Sequence, residues 1–444
     1  MVKKYNCFIS SINNDFLLFN PCSLAMAIIE NPKGYSEIEV LSAFSEKQIK
    51  ELFENNIFIE KNSDAICLSR YYSNKSKYKR SLTISDAMTF ACNMDCIYCF
   101  ENQTKNDHFS ISTCDRIKLI SKLIDLYKTE ISCLDYVFFG GEPLLNLDYV
   151  EKICEYISEH YSDLVIDYSF TSNGTLIDDK FIDLCNRFMF REIRITIDGI
   201  PQIHNSRRVM KNGNDSYELI MENIKKLCLN TNIRIVINTV LDDDNTDCYL
   251  NMFNDLVRRL GNFIFSDKPK IVFNIGILCH PMIDTYHTQD KGSNNTIGNI
   301  NYYKLSEELI KSGATITSPF YTPHCMNSSE KTFTISPSGD IYKCVTGIGS
   351  KRFRLSTYDE FMQNPIILIR NNIYQIERSH RTQCLDCEYF SMCNGGCKCQ
   401  HYENNDILCR KGLLDKEMDS FLHLLYYGCF TEDGLFKKRP GDLR

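Results

Sequence analysis

Strand-like and helix-like segments alternate through the middle of the chain, from residue 82 to about 280. Six apolar runs are predicted to be strands: LTISDAMTF, LDYVFFGG, VIDYSFTSNG, EIRITIDG, IRIVINTVL and KIVFNIGI. Stretches with helical spacing lie between them, at about 111–130, 146–160, 178–188, 214–229 and 245–260. Such alternation predicts an α/β fold with a parallel sheet and right-handed crossovers. Six strands favour an open, partial TIM-type barrel, (β/α)6, over a closed one of eight, with ligands at the carboxyl ends of the strands.

Two further regions flank this barrel segment. A chain of 444 residues exceeds one ordinary domain. We predict three domains, at residues 1–75, 76–290 and 291–444. The polar stretch 284–299 has no periodicity and predicts a linker between the last two.

The N-terminal region is predicted to form a small unit of short strands and helices. A hairpin is expected around Asn13-Asn14-Asp15, and a helix is expected to begin at Asn20 and Pro21. A second helix opens at Ser45, with Gln48 completing a capping box. The run DAICLSR predicts a closing strand. Short strands around two or three helices resemble a winged helix.

The amino-acid composition indicates in which compartment the protein is expected and which classes of partner are excluded. No segment approaches the ~18 consecutive apolar residues of a membrane span, and the polar N-terminus has no signal-peptide core. We therefore expect a cytoplasmic protein without a membrane partner. Disulfides rarely persist there, so the clustered members of the 22 cysteines indicate cofactor ligation. The net charge of −7 argues against nucleic acid as a partner.

Three cysteines, Cys92, Cys96 and Cys99, lie on the loop expected after the first barrel strand. Three thiolates on one short loop can hold three irons of a [4Fe–4S] cluster and leave the fourth iron open. An open position at a metal can bind and polarise a substrate. The alternative, a zinc site, needs a fourth ligand such as His108.

The triplet, with the aromatic Tyr98 before its last cysteine, resembles that of the radical S-adenosylmethionine (SAM) superfamily. The resemblance covers residues 82 to about 280. It implies that the amino and carboxylate groups of SAM chelate the open iron. It also implies that an electron from the cluster cleaves SAM to a 5′-deoxyadenosyl radical.

Motifs at the later strand ends agree with this resemblance. It implies SAM contacts at Tyr98, Gly140, Gly141, Glu142, Ser172, Asn173, Asp198 and Arg207. Gly140 and Gly141 would let the backbone approach a ligand closely, and Glu142 would accept a bond from the SAM ammonium. Arg207 would clamp the carboxylate. Arg208 is its rival, and a surface salt bridge is the alternative for either arginine.

Seven more cysteines follow the barrel segment: Cys325, Cys344, Cys384, Cys387, Cys393, Cys397 and Cys409. Seven thiols are too many for one site, and two zinc ions would lack one ligand. Their order resembles the SPASM extension of radical SAM enzymes, which holds two auxiliary [4Fe–4S] clusters. The resemblance implies an outer cluster on Cys384, Cys387, Cys393 and Cys409 and an inner cluster on Cys325, Cys344 and Cys397. The fourth inner ligand is Cys279, Cys399 or, on an open iron, a substrate thiolate.

The combination favours a peptide maturase with three [4Fe–4S] clusters and SAM as cofactors. The chain resembles sactipeptide and ranthipeptide maturases, in which the leader of a precursor peptide adds a strand to the N-terminal unit. We expect thioether crosslinks in a cysteine-containing core peptide, and a flavodoxin- or ferredoxin-type electron donor. A structural cap or a DNA-binding winged helix are alternatives for the N-terminal unit.

Three other activities stay open at this point: a carbon–carbon peptide cyclase, a formylglycine-forming sulfatase maturase, and an iron–sulfur electron-transfer or scaffold protein. The GGEP and TSNG motifs argue against the last, because an electron carrier has no use for a SAM pocket.

Overall fold

The computed structural model describes residues 7–31, 33–59, 80–99, 110–277, 302–318, 326, 329–378, 387, 389–393, 411–432 and 435–440. The chain divides into two compact units. Unit 1 comprises Met1–Tyr78, Asn301–Ser328 and Arg378–Arg444; unit 2 comprises Lys79–Ile300 and Ser329–Glu377. The N-terminal region thus shares a unit with two stretches of the predicted C-terminal domain. The three-domain division stays a prediction.

The described strands and helices are as follows. The strands are β1 Phe8–Ile12, β2 Asp15–Phe19, β3 Met26–Glu30, β4 Ser81–Ala87, β5 Cys133–Phe139, β6 Val165–Ser172, β7 Phe190–Thr196, β8 Arg234–Leu241, β9 Ile271–Ile277, β10 Thr332–Ile335, β11 Ile341–Tyr342, β12 Arg354–Ser356, β13 Gly428–Phe430 and β14 Phe436–Lys438. The helices are α1 Glu37–Ala43, α2 Glu46–Glu54, α3 Thr113–Tyr127, α4 Leu147–His160, α5 Asp179–Phe188, α6 Pro201–Arg207, α7 Tyr217–Asn230, α8 Tyr249–Ile264, α9 Tyr302–Lys311, α10 Tyr358–Gln363, α11 Ile366–Arg378, α12 Phe390–Cys393 and α13 Lys411–Tyr427. Among these elements, no helix is both long and apolar enough to cross a bilayer.

The central sheet of unit 2 contains the six predicted strands, β4 to β9, as parallel neighbours in chain order. The α/β prediction is therefore confirmed; the barrel count stays a prediction. Strand β10 pairs parallel to β4, and β11 and β12 follow antiparallel, which gives nine strands. The carboxyl ends of β4 to β9 meet at one edge, where the candidate site lies.

Side chains alternate along the parallel strands between a buried apolar set and a half-exposed, more polar set. On β5, Leu134, Tyr136 and Phe138 are buried, whereas Cys133, Asp135, Val137 and Phe139 are half-exposed. The apolar set packs against helices: Phe170 of β6 lies between Phe138 and Phe181 of α5, with both ring-centroid distances at 5.0 Å. This packing is what orients the strand ends.

Unit 1 begins with the predicted hairpin. Asn13 and Asn14 take positive φ of 52° and 66° between β1 and β2, as a two-residue type I′ turn requires. The capping box of Ser45 and Gln48 at α2 is also confirmed. The helix predicted to begin at Asn20 is wrong, because the side chain of Asn20 accepts bonds from the N–H groups of Cys22 and Ser23. This local turn leads into β3.

The N-terminal sheet packs on the C-terminal helix α13 within unit 1. Phe19 meets Phe421 edge to face, with ring centroids 5.4 Å apart, and the Tyr426 hydroxyl donates to Asp15 over 2.7 Å. The predicted strand DAICLSR lies outside the described residues. The winged-helix resemblance stays a prediction.

Candidate active site

The loop that carries the cysteine triplet forms one side of a short antiparallel ribbon. Residues 93–97 run beside residues 207–211, which start at the last residue of α6, and Met94 bridges Met210. The ribbon is held by three backbone bonds: Asp95 N to Val209 O (2.7 Å), Ile97 N to Arg207 O (3.0 Å) and Lys211 N to Asn93 O (3.0 Å).

The two faces of this ribbon differ in exposure. Asp95, Ile97, Val209 and Lys211 are exposed on one face. Met94, Cys96, Arg208 and Met210 are buried on the other. Cys92 and Cys99 pack against the Met94–Cys96–Met210 cluster. The structure thus brings the three thiols of the triplet together.

Gly140 and Gly141 permit the close approach of that loop. A Cβ on Gly140, whose φ is +121°, would lie 2.4 Å from the Thr89 carbonyl oxygen, and one on Gly141 would lie 2.2 Å from that of Ala91. Gly141 N–H donates to Thr89 O over 2.8 Å, and Glu142 N–H donates to Ala91 O over 2.9 Å. Both glycines were predicted to let backbone approach a ligand. The approach seen here is that of residues 89–91 of the same chain.

Glu142 is fully buried and joins two strand ends. Its carboxylate accepts bonds from Leu144 N (3.0 Å), Ser172 Oγ (2.9 Å) and Asn173 N (2.7 Å). Burial raises the pKa of this carboxyl, and these bonds oppose the rise. The carboxylate therefore holds the TSNG turn against the GGEP turn. A bond to the SAM ammonium stays a prediction.

Asn173 ties the same turn to the cysteine loop. Its Nδ2 donates to Asn93 Oδ1 over 2.8 Å and lies 3.8 Å from Cys92 Sγ. Its Oδ1 accepts from the N–H (2.9 Å) and the hydroxyl (2.6 Å) of Thr175, while Asn93 Nδ2 donates to Thr175 Oγ1 over 2.8 Å. Burial is the main cause that raises the pKa of the Cys92 thiol.

Tyr98 and Asp198 form a buried polar contact between the loop and the end of β7. The Tyr98 hydroxyl donates to Asp198 Oδ2 and accepts from Arg208 Nη1 over 2.8 Å. Asp198 Oδ1 accepts from Val240 N over 3.0 Å. Burial raises the pKa of the Asp198 carboxyl, which Arg208 opposes.

Arg207 is bound within the chain. Its guanidinium forms a fork with Asp242, at 3.1 and 2.7 Å, and lies over the Tyr98 ring, 5.1 Å from the centroid. It would have to leave Asp242 to clamp the SAM carboxylate, so that role stays a prediction. The alternative of a surface salt bridge fits poorly, because the Arg207 side chain is only 4% exposed.

Several residues of this network were missed by sequence analysis. His204 Nδ1 faces Asp198 N (3.4 Å), its Nε2 lies 3.1 Å from Ser216 Oγ, and burial lowers its pKa to about 3. Asn245 Nδ2 donates to the backbone oxygen of Asp198 over 2.9 Å. The polar run after β8, LDDDN, was a usable signal, because it stands at a strand end.

The residues present fit an iron–sulfur cluster with an open iron. Cys92 and Cys99 pack against the cluster that contains Cys96, and Met94 N–H and Asn173 Nδ2 are directed at Cys92 Sγ. His108, the candidate for a zinc site, lies outside the described residues.

The C-terminal cysteines are described only in part. Cys344 follows β11 and lies 3.2 Å from Thr346 Oγ1; Cys387 accepts a backbone bond from Phe390 N, and Cys393 ends α12. Cys279, Cys325, Cys384, Cys397, Cys399 and Cys409 lie outside the described residues. The two auxiliary clusters stay a prediction.

Residues 87–257 match the Radical SAM superfamily. The chain carries a radical SAM domain. The proteins of this superfamily are enzymes, and they use SAM and a [4Fe–4S] cluster.

Similar proteins include a radical SAM cyclopropyl synthase and two proteins whose structures were solved with a bound peptide. The radical SAM cyclopropyl synthase TigE of Paramaledivibacter caminithermalis is 27% identical over 69% of this chain and 65% of its own length, so the match spans just under two thirds of that relative. The solved structure of anSMEcpe with bound AdoMet and Kp18Cys peptide has a TM-score of 0.60 at 20% identity, over 78% of this chain and 96% of that one. Streptococcus suis SuiB bound to precursor peptide SuiA has a TM-score of 0.52 at 14% identity, over 90% and 96%. These two structures show the shared fold.

Proposed function

We propose that this chain is a radical SAM maturase that installs thioether crosslinks in a ribosomally made precursor peptide. The gathered triplet of Cys92, Cys96 and Cys99 is the observation that carries the radical chemistry. The similarity to TigE and to structures solved with peptides supports a peptide substrate. When bound at the triplet, SAM and the cluster supply a 5′-deoxyadenosyl radical that removes a hydrogen atom from a carbon.

The chain's own residues hold this site in place. Glu142 and Asn173 fix two strand ends against the cysteine loop, and the buried face of the ribbon covers Cys96. Tyr98 and Asp198 anchor the end of the loop, beside Cys99. Such second-layer contacts orient metal ligands and tune the metal.

The thiolate that attacks the carbon is proposed to come from the core peptide, held on the inner auxiliary cluster. Loss of two hydrogen atoms from the peptide balances formation of one carbon–sulfur bond: one leaves with deoxyadenosine and the other as a proton from the thiol. The auxiliary clusters, if held by the predicted cysteines, would accept the remaining electron. This step rests on the SPASM resemblance and on the expectation that a substrate thiolate, and not Cys279 or Cys399, takes the fourth position of the inner cluster.

The leader is proposed to add a strand at β3. In the described residues β3 pairs with β2 alone. Two backbone hydrogen bonds, from Asn31 N to Asn14 O and from Asn20 N to Ala25 O, determine which positions of the β2–β3 pair are hydrogen-bonded. Because bonding direction alternates along a strand, the N–H of Ile28 points away from β2. This edge, which has no strand partner among the described residues, is where a fourth strand would bond.

Ile28→Pro is expected to weaken precursor binding at least tenfold. Proline at this position removes an outward donor without breaking a β2–β3 bond. Ile28→Ala is the matched control, because it shortens the side chain and keeps the N–H. Fluorescence anisotropy with a labelled precursor gives both affinities, and circular dichroism confirms the fold. Equal affinity of the proline and alanine variants would leave β3 without a role in leader binding.

Deleting the N-terminal region is a poorer test, because α13 packs on it. Removal of residues 1–75 would expose Phe421, which contacts Phe19, and leave Tyr426 without its partner Asp15. A point substitution at the β3 edge leaves these contacts intact.

Mass spectrometry of the reacted precursor tests the reaction itself. With SAM and a reductant, the peptide is expected to lose the mass of two hydrogens per thioether, and a Cys→Ser core peptide is expected to lose none. The same loss from the Cys→Ser peptide would show carbon–carbon bond formation, which the TigE similarity makes the second candidate. A cysteine converted to formylglycine would show the sulfatase-maturase activity instead. The Cys92→Ala/Cys96→Ala/Cys99→Ala enzyme is expected to give no product.

A further inference from the structure

The middle cysteine of the triplet faces a buried arginine across the ribbon. The bridge between Met94 and Met210 sets the register, so Cys96 lies directly opposite Arg208. The flanking positions carry the backbone bonds, so Cys96 and Arg208 occupy a non-hydrogen-bonded position of the backbone ladder. In such pairs the side chains approach most closely. Both are on the buried face, Cys96 9% and Arg208 8% exposed.

The charge on Arg208 is only partly balanced by its neighbours. Its Nη1 donates to the neutral Tyr98 hydroxyl over 2.8 Å, and the nearest carboxylate, Asp198, is 3.9 Å away. Its Nε is buried without a hydrogen-bond partner among the described residues. Arg207, next to it, pairs both Nη atoms with Asp242, although its Nε is also buried without a hydrogen-bond partner among the described residues.

We propose that Arg208 sets the reduction potential of the cluster held at Cys96. This rests on the [4Fe–4S] cluster of the proposed function. One-electron reduction adds a negative charge to the cluster, and a fixed buried cation beside one of its thiolates stabilises that state. At an effective dielectric constant of about 20, a unit charge about 8 Å away changes such an equilibrium by more than tenfold.

Opposite charge changes are expected to move the potential in opposite directions. Arg208→Gln should lower the one-electron reduction constant of the cluster at least tenfold, which is about 59 mV more negative. Asp198→Asn should raise it, because it removes the partial balance of Arg208. The double variant should return near the native value. The potential is measured by anaerobic dithionite titration, followed by electron paramagnetic resonance, in the absence of SAM. Signals of the auxiliary clusters are identified from the variant in which Cys92, Cys96 and Cys99 are all replaced by Ala.

Two further variants separate charge from shape. Arg208→Lys keeps the charge and should stay within threefold of the native reduction constant. The double variant Arg207→Gln/Asp242→Asn replaces an ion pair by two neutral side chains and should also stay within threefold of the native reduction constant. Equal shifts for the lysine and glutamine variants, or a shift below threefold for glutamine, would overturn the proposal.

Comparing the measurements with and without SAM tests a second role for Arg208, that of a SAM ligand. An Arg208→Gln effect that appears only after SAM is added would make Arg208 a SAM ligand and the potential-setting role wrong. Failure of the proposed function would show itself earlier and differently, because iron analysis of the native enzyme would then find no cluster at the triplet.

Discussion

Gly141→Ala is expected to prevent assembly of the cluster at the triplet. The new methyl group would lie 2.2 Å from the Ala91 carbonyl oxygen and 2.7 Å from the Phe90 oxygen. Both are backbone atoms, which no side-chain rotation can move. The loop must therefore shift by about an ångström, and overpacking of this kind typically costs about 1–3 kcal/mol or more. Cys92 is the next residue along the chain, so the shift displaces a ligand.

Iron analysis and the absorbance of the anaerobically reconstituted protein measure this effect. We expect the variant to lose the iron of one cluster and all reductive cleavage of SAM. Gly261→Ala is the matched control: in α8 its Cβ would lie 3.9 Å from Phe265, and alanine favours a helix over glycine by about 1 kcal/mol. A Gly141→Ala enzyme with full iron and normal SAM cleavage would show that the loop tolerates displacement.

The parallel sheet was predictable because helical stretches lie between all six strand-like runs, and such alternation predicts crossover connections between parallel strands. The positions of the triplet and of GGEP then follow from the strand ends. The helix at Asn20 failed for a local reason: Asn and Ser compete for backbone donors, and Asn20 formed a turn where Pro21 suggested a helix start.

The side-chain contacts within the site were harder to predict from the sequence than the positions of its motifs at the strand ends. Gly140, Glu142, Ser172 and Asn173 were expected to face SAM, yet their described contacts are mainly to one another and to the cysteine loop. A motif shows that residues are required near a site, but not whether they contact the ligand or support it. The 207–211 side of the ribbon could not be foreseen, because short antiparallel pairing between distant loops has no periodic signature.

A polar residue within an apolar strand was a signal that sequence analysis passed over. Asp86 stands in LTISDAMTF and is fully buried on β4. It accepts bonds from Arg116 Nη1 (2.9 Å), the Tyr136 hydroxyl (2.6 Å) and the Tyr149 hydroxyl. Buried charges are rarely tolerated unless paired, so an aspartate at this position predicts a partner elsewhere in the core.

Asp86→Ala is accordingly expected to lower the free energy of unfolding by about 3–5 kcal/mol. The substitution leaves the Arg116 guanidinium buried without its carboxylate, and it also leaves two tyrosine hydroxyls without their acceptor. Burial works against the charge of Arg116, but Asp86 raises the pKa of the guanidinium on balance. Urea unfolding of the anaerobic, cluster-loaded enzyme, followed by circular dichroism, measures the loss.

A double-mutant cycle separates the ion pair from simple loss of packing. Arg116→Met keeps the volume of the side chain but also gives up the bond from Nη2 to Pro337 O (3.0 Å). In Asp86→Ala/Arg116→Met no buried charge is unpaired, so the double variant should be more stable than the sum of the two single losses predicts, by about 2 kcal/mol. Additive losses would mean that water reaches Arg116 once Asp86 is gone, and that the charge is not confined in the core. Because Asp86 lies near the carboxyl end of β4, which leads into the cysteine loop, the same variants show whether rigidity at this strand end is required for cluster retention. Iron content should fall with Asp86→Ala and recover in part in the double variant.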